Sequence, residues 1–249
     1  MIYVMADLHG NMRRFQSVLK QIDLQPEDTL YILGDVIDRH PDGIEILKAI
    51  MQMSNVKMLL GNHEYMMLNC LDPQCPRVFW DNPRSLWYQN GGKVTMRAFR
   101  QESEESRKAI IAYLRSLPLS FDLVVNGTSY KLVHGCPVEW AGRTHSYYDY
   151  EEEFAVWERI DPATAFEEDY TIVFGHTPTA YYDYQDILSI WYSPKLIGID
   201  CGCGYPDDPD DPVYPIGRLA CLRLDDMREF YSEEIMPTNI EVEEGQTEN

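Results

Sequence analysis

Hydrophobic and polar positions switch between two periods along the N-terminal part of the chain, and each switch marks an element. Ile2 to Met5 is a short apolar run that ends in Asp7-Leu8-His9-Gly10. Phe15, Val18, Leu19 and Ile22 then fall at i, i+3, i+4 and i+7, the stripe of an amphipathic helix, which Pro26-Glu27-Asp28 ends. Thr29 to Leu33 is a second apolar run and closes in Gly34-Asp35. Ile44, Leu47 and Met51 mark a second helix, and Val56 to Leu60 a third strand that stops at Gly61-Asn62-His63. Strands alternating with helices predict crossover units and a mostly parallel sheet. Each strand delivers polar residues at its C-terminal end, where open α/β sheets place their ligands.

The middle of the chain, 85–117, reads as helical and is a candidate cap within the domain. From Phe121 onward the pattern turns strand-rich, with runs at 121–125, 130–133, 171–174, 196–199 and 219–224. Pro206-Asp207-Asp208-Pro209-Asp210-Asp211-Pro212 holds no regular element and reads as a solvated loop. Residues 1–236 are expected to make one domain, and 237–249 an acidic, flexible tail.

Composition narrows the function classes. The chain has 249 residues, of which 45% are hydrophobic and 25% charged, which suits a globular core. With 21 Lys and Arg against 41 Asp and Glu, the formal charge of −20 repels polyanions, so binding to a nucleic-acid backbone is excluded. No apolar run reaches the roughly 18–20 residues of a bilayer span, and no basic stretch precedes the first carboxylate. A cytoplasmic protein with no membrane partner is expected. The six cysteines lack CxxC spacing and read as reduced thiols. Cys201 and Cys203 are not expected to ligate metal.

The unusual groups, in order, are Asp7 and His9; Asp35, Asp38 and Arg39; Asn62 and His63; His134; and His176. Singly, each has a plain alternative: a loop cap, a turn residue or a satisfied core histidine. Gly34, Gly61, Gly135 and Gly175 likewise suit simple turns. In conjunction they place carboxylate oxygen and imidazole nitrogen at successive strand ends, a donor set suited to borderline divalent metals. Two ions ~3.5–4 Å apart would clamp the attacking and leaving oxygens of a phosphoryl group.

At these residues the sequence resembles the calcineurin-like metallophosphoesterases. Asp7-Leu8-His9, Gly34-Asp35-Val36-Ile37-Asp38-Arg39, Gly61-Asn62-His63-Glu64, His134 and Gly175-His176-Thr177 match that family's pattern. Trp87 with Asn90-Gly91-Gly92, 114–119, 133–135 and 199–202 are further similar to the bacterial and phage branch of the phosphoprotein phosphatases. The resemblance implies a layered α/β fold, with a central β-sandwich of mixed sheets flanked by helices and a site on loops at strand ends. It implies two divalent ions, Mn or Fe before Zn, Co or Ni, with a bridging hydroxide that attacks phosphorus. Asp7 and His9 would hold the first ion, Asp35 would bridge, and Asn62, His134 and His176 would hold the second. His63 would be the general acid and Asp38 its orienting carboxylate. Arg39, Arg159 and Asn62 would bind phosphate.

Two positions depart from the branch. Leu60 stands where an Arg usually precedes Gly-Asn-His, which removes a charge-assisted bond worth ~1.5–3 kcal/mol. His40 stands where Gly is usual and reads as a surface residue before an extra donor in the pocket. The expected substrate is phosphoserine or phosphothreonine in protein. The alternative is symmetrical hydrolysis of diadenosine tetraphosphate or another small phosphoester or nucleotide. An inactive metal-binding module would have lost His63 or Asp38, and both are present. His145, Tyr147, Tyr148 and Tyr150 either line a substrate groove or lie on the surface.

Overall fold

The computed structural model describes residues 1–75, 82–143, 148–164, 168–185, 187–206 and 215–233. His145, Tyr147, the run from Asp207 to Asp211 and the acidic tail lie outside the described residues.

Two five-stranded sheets carry the fold. In the first, β1 (Ile2–Met5), β2 (Thr29–Ile32) and β3 (Val56–Met58) run parallel, joined by α1 (Met12–Ile22) and α2 (Gly43–Gln52). The second is built from β4 (Ser120–Val125), β5 (Thr128–Val133), β6 (Thr171–Phe174), β7 (Trp191–Ser193) and β8 (Leu196–Gly198), in the order β4-β5-β6-β8-β7. The chain then returns to the first sheet as β9 (Ala220–Arg223), antiparallel to β1, with β10 (Arg228–Tyr231) outside it. Both sheets are therefore mixed: the expected parallel pairing holds for β1 to β3 and again for β5, β6 and β8, and antiparallel strands are added to each set. The antiparallel partner of β1 arrives from the far end of the chain, beyond the reach of local periodicity.

Alternation along the strands assembles the core. Val4, Ala6, Tyr31 and Leu33 point inward to meet Leu132, Val173, Ile197 and Leu222 between the sheets. Their neighbours Tyr3, Met5, Leu30 and Ile32 point the other way, against Phe15, Val18, Ile46 and Leu47 of the helices. On the far side, Ile172, Phe174 and Leu196 pack with Trp140 and Phe154. A period of two along each strand thus supplies two apolar layers at once.

The remaining helices are α3 (Asn62–Leu71), α4 (Pro83–Gln89), α5 (Lys93–Gln101), α6 (Glu104–Arg115) and α7 (Glu151–Trp157). The helical reading of 85–117 matches α4 to α6. Neither α3 nor α7 follows from periodicity. Residues 62 to 68 of α3 are all buried, so no polar stripe marks a face. Helix α1 ends earlier than Pro26: Asp23 turns into the left-handed conformation and its N–H caps the Leu19 carbonyl. Among the described residues no helix is long and apolar enough to cross a membrane.

Candidate metal centre

Four loops meet where β1, β2, β5 and β6 end, together with the first turn of α3. Main-chain bonds zip the first two: Asp7 N–H donates to the Gly34 carbonyl, His9 N–H to that of Asp35 (2.9 Å) and Gly10 N–H to that of Val36 (2.7 Å). Gly175 N–H donates to the His134 carbonyl at 3.0 Å. The Glu64 carboxylate, fully buried, accepts from the N–H groups of Asp35 (2.8 Å), Val36 (2.9 Å), Ile37 (3.3 Å) and Gly61 (3.2 Å). It ties the second loop to the start of α3.

These loops are strained. Among the described residues nine non-glycine residues have positive φ, and six of them are Asp7, His9, Asp35, Asp38, Arg39 and His176. Left-handed backbone costs an L-residue energy and persists where its surroundings enforce it. Here it turns each side chain back across its strand end toward a common centre.

Asp35 sits in the middle, with one oxygen to each side. Its Oδ2 lies 3.7 Å from His9 Nε2 and 3.8 Å from His63 Nε2, and its Oδ1 lies 3.5 Å from His134 Nε2. Asp7 Oδ1 is 3.9 Å from His9 Nε2, and the Asp7 carboxylate accepts from His176 N–H at 3.0 Å. Asn62 Oδ1 is 3.0 Å from both His134 Nε2 and His176 Nδ1. Two donor clusters result, His9-Asp35-His63 and Asp35-His134-His176, and they share Asp35.

The outer nitrogen of each ring is committed to a carbonyl. His9 Nδ1–H donates to Ile37 O (3.2 Å), His134 Nδ1–H to Leu33 O (2.6 Å) and His176 Nε2–H to Trp157 O (3.0 Å). Burial favours the neutral form of all three and lowers His176 to about 3. Each neutral ring with its outer nitrogen protonated turns a bare lone pair inward. Those lone pairs face carboxylate and amide oxygens that are acceptors too. Acceptors aimed at acceptors in a dry site call for a cation, and imidazole with carboxylate suits a borderline divalent metal.

The carboxylates agree. Burial raises Asp7, and the charges of Asp200 and Asp35 raise it further. Burial also brings Asp200 to about 6. Burial would raise Asp35 too, but His63, whose own pKa is raised and whose N–H donates to Asp35 Oδ1, holds it below the usual range.

His63 belongs to a different device. Its Nδ1–H donates to Asp38 Oδ2 at 2.7 Å, and its Nε2 lies 3.4 Å from an Arg39 guanidinium nitrogen. Burial disfavours its cation, yet Asp35 and Asp38 outweigh that and raise its pKa. Arg39 is exposed beside it. Arg159 is also exposed, its guanidinium 5.0 Å above the Tyr181 ring. Leu60 is buried and lines a cleft with Tyr65, Leu68 and Leu114. His40 is half-buried rather than on the surface; its N–H donates to the His9 carbonyl at 3.0 Å. Cys203 Sγ bonds the Leu8 carbonyl, and Cys201 sits in the core between the sheets. Tyr148 packs edge-on to Phe154, while Tyr150 is exposed.

The sequence-derived site residues Asp7, His9, Asp35, Asp38, Arg39, Asn62, His63, His134 and His176 thus converge, with Arg159 at the margin. Glu64 and Asp200 fall in stretches that match the family pattern, but the sequence alone assigns them no role in the site. Asp200 follows the apolar run 196–199 just as Asp7 follows 2–5, and that shared signature could have found it. Glu64 gives no such signal, because its partners are backbone N–H groups.

Known proteins resemble this chain in parts of the sequence and in fold. A symmetrical bis(5'-nucleosyl)-tetraphosphatase of Erwinia tasmaniensis is 38% identical over 68 residues, 26% of this chain and 25% of that protein. Serine/threonine-protein phosphatase 2 of Escherichia coli is 28% identical over 136 residues, 53% of this chain and 57% of that one. This chain therefore spans a quarter of the former's length and somewhat over half of the latter's. A serine/threonine phosphatase structure from Saccharomyces cerevisiae superposes with a TM-score of 0.59 at 15% identity, covering 96% of this chain and 81% of its own, which speaks for the fold. The calcineurin-like phosphoesterase model matches residues 1–203, a span that takes in every loop of the cluster, and the chain belongs to that family.

Proposed function

We propose that the chain is a metal-dependent phosphomonoesterase acting on phosphoserine and phosphothreonine in proteins. The observation that carries the metal-dependent part is the set of inward lone pairs around Asp35. Asp7, His9 and Asp35 would hold one ion, and Asp35, Asn62, His134 and His176 the other. When bound, such ions supply charge neutralisation on the phosphoryl oxygens and a water acidic enough to ionise at neutral pH. Arg39 would grip the phosphate with its guanidinium fork, and Arg159, near enough for its charge to act on His176 and Asp200, would add a second cation. The N-terminus of α3 adds its dipole to that anion site. His63 Nε2 then gives its proton to the leaving oxygen, and Asp38 holds the ring in the required tautomer.

The phosphatase reading is supported by the longer of the two alignments, which spans 53% of this chain. A specific observation favours a second reading: the higher identity, 38%, is to a symmetrical tetraphosphatase, and Leu60 leaves the site without one cation. Manganese-loaded protein offered a phosphothreonine peptide and diadenosine tetraphosphate separates the two. Preferential release of inorganic phosphate from the peptide is expected. Preferential release of adenosine diphosphate would replace this reading with the second.

A further inference from the structure

Trp87 is the largest fully buried side chain among the described residues, and its one polar atom is used inside the site. The indole Nε1–H donates to Asp38 Oδ2 at 2.7 Å, the same oxygen that accepts from His63 Nδ1 at 2.7 Å. The other oxygen, Asp38 Oδ1, is buried and has no hydrogen-bond partner among the described residues. Both donors therefore crowd onto one oxygen while its twin goes without. The terminal torsion of an Asp side chain is soft and nearly two-fold, so a single donor would leave the carboxylate free to turn. A second donor pinned in α4 stops that rotation.

The surrounding residues are shaped to the indole. A Cβ at Gly92 would strike the ring itself, and one at Gly91, where φ is +98°, would press on the Arg39 backbone at 3.0 Å. Arg39 N–H donates to the Gly91 carbonyl at 3.4 Å, and Asp38 N–H to Thr95 Oγ1 at 2.9 Å. Trp87, Gly91, Gly92 and Thr95 form one bracket around Asp38 and Arg39. That bracket accounts for a stretch to which the hydrolytic reading gives no task.

We propose that Trp87 is a positioning residue for proton delivery: its indole N–H locks the Asp38 carboxylate so that Oδ2 holds the His63 ring with Nε2 toward the leaving oxygen. The inference rests on His63 as the general acid. In that step a water oxygen bonds to phosphorus as the P–O bond to the leaving group breaks; the electron pair of the broken bond stays on the leaving oxygen, which takes the proton from His63 Nε2. The Nδ1–H bond to Asp38 persists throughout.

Leaving-group dependence tests the claim, because loss of mere bulk does not sort substrates by their need for a proton. Phenyl phosphate releases a group with a pKa of about 10, like tyrosine, whereas 2,4-dinitrophenyl phosphate releases one that needs no proton. Turnover is measured for the wild type, Trp87→Phe and His63→Asn, all manganese-loaded and with metal content checked. Trp87→Phe should lose about tenfold more on phenyl phosphate than on the dinitrophenyl ester, and His63→Asn should discriminate more strongly, toward ~10²–10⁴-fold. Equal losses on both esters in Trp87→Phe, or none, with His63→Asn still discriminating, overturn the inference alone. Equal losses in His63→Asn overturn the acid assignment and the inference with it. A measurement independent of the Phe variant uses ¹⁵N-indole spectra of the five tryptophans. One N–H should be shifted downfield and protected from exchange in the wild type and should move in Asp38→Asn. Five unmoved signals overturn the hydrogen bond itself.

Discussion

Replacing Gly61 by Ala adds one methyl group where the second loop and α3 approach most closely. The backbone itself would accept alanine, since φ is −99° and ψ 169°. The added Cβ would run into Asp35 Oδ1 and Asp35 N, and would lie 2.7 Å from Glu64 Oε2. Relief requires the loops to part by about 1 Å, which stretches three bonds: Gly61 N–H to Glu64, Asp35 N–H to Glu64, and His63 N–H to Asp35 Oδ1 at 3.0 Å. Hydrogen bonds to charged groups are worth ~1.5–3 kcal/mol, so weakening these costs about 2 kcal/mol. Overpacking adds ~1–3 kcal/mol. The sum, about 3–5 kcal/mol, is a large share of the ~5–15 kcal/mol that holds a domain together. Displacing Asp35 should also cost about 10² in turnover, as misplacement of a reacting group by ~1 Å does. Urea unfolding, metal stoichiometry and kcat measured on one preparation check all three. Gly127→Ala is the control: φ is +80° with nothing within 4 Å, so it should cost ~1–2 kcal/mol of backbone strain and leave the site untouched. A Gly61→Ala protein with a wild-type unfolding midpoint, full metal content and turnover within about twofold would refute the crowding argument.

Other perturbations follow from the same geometry. Asp35→Asn should lose metal and activity together, as read by elemental analysis; retention of two ions would sink its place between them. His63→Asn should keep its metals while turnover of an alkyl phosphate falls ~10²–10⁴-fold, and unaltered turnover would show that the proton comes from elsewhere. Arg39→Lys keeps the charge but loses the fork, so kcat/KM should fall about tenfold, or ~1.4 kcal/mol; an unchanged value means Arg39 does not grip the phosphate. Asp72 offers a pH test of stability. Burial would raise its pKa, but the Gln74 N–H and the Arg115 guanidinium (2.6–2.8 Å) hold it below the ordinary carboxylate value. Its contribution is therefore fully present above that ordinary value and is lost as pH falls through the depressed one. The stability gap between wild type and Asp72→Asn should close in acid, and a gap constant from neutral pH to pH 3 would contradict this.

How far the sequence carries depends on what each feature consists of. β1 and β6 occupy the expected residues, because a short apolar run closed by Gly, Asp or His is legible locally. The candidate site is legible for the same reason, as the residues proposed to ligate sit immediately after such runs. Edge strands β7 and β10, three and four residues long, carry too little pattern to stand out. The pairing of Tyr3 with Arg223 depends on chain ends that no local window contains. Gly61 looks like a turn former in sequence, and only the neighbouring Asp35 and Glu64 reveal it as a point of close approach. Trp87 reads as one more core aromatic until Asp38 is placed beside its indole.

The ligands are also spread unevenly in time as the chain is made. The proposed set for one ion, Asp7, His9 and Asp35, lies within the first two strands and their loops, whereas the other set is complete only with His176, which waits for β5 and β6. Chains emerging from the ribosome fold from the N-terminus, and long-range contacts form late. The centre is thus a clock for assembly: one proposed set is present while the second sheet is still unmade, and the other only once β5 and β6 have formed. Capture of the second ion would then mark the arrival of β6, with β7 to β10 still to be added.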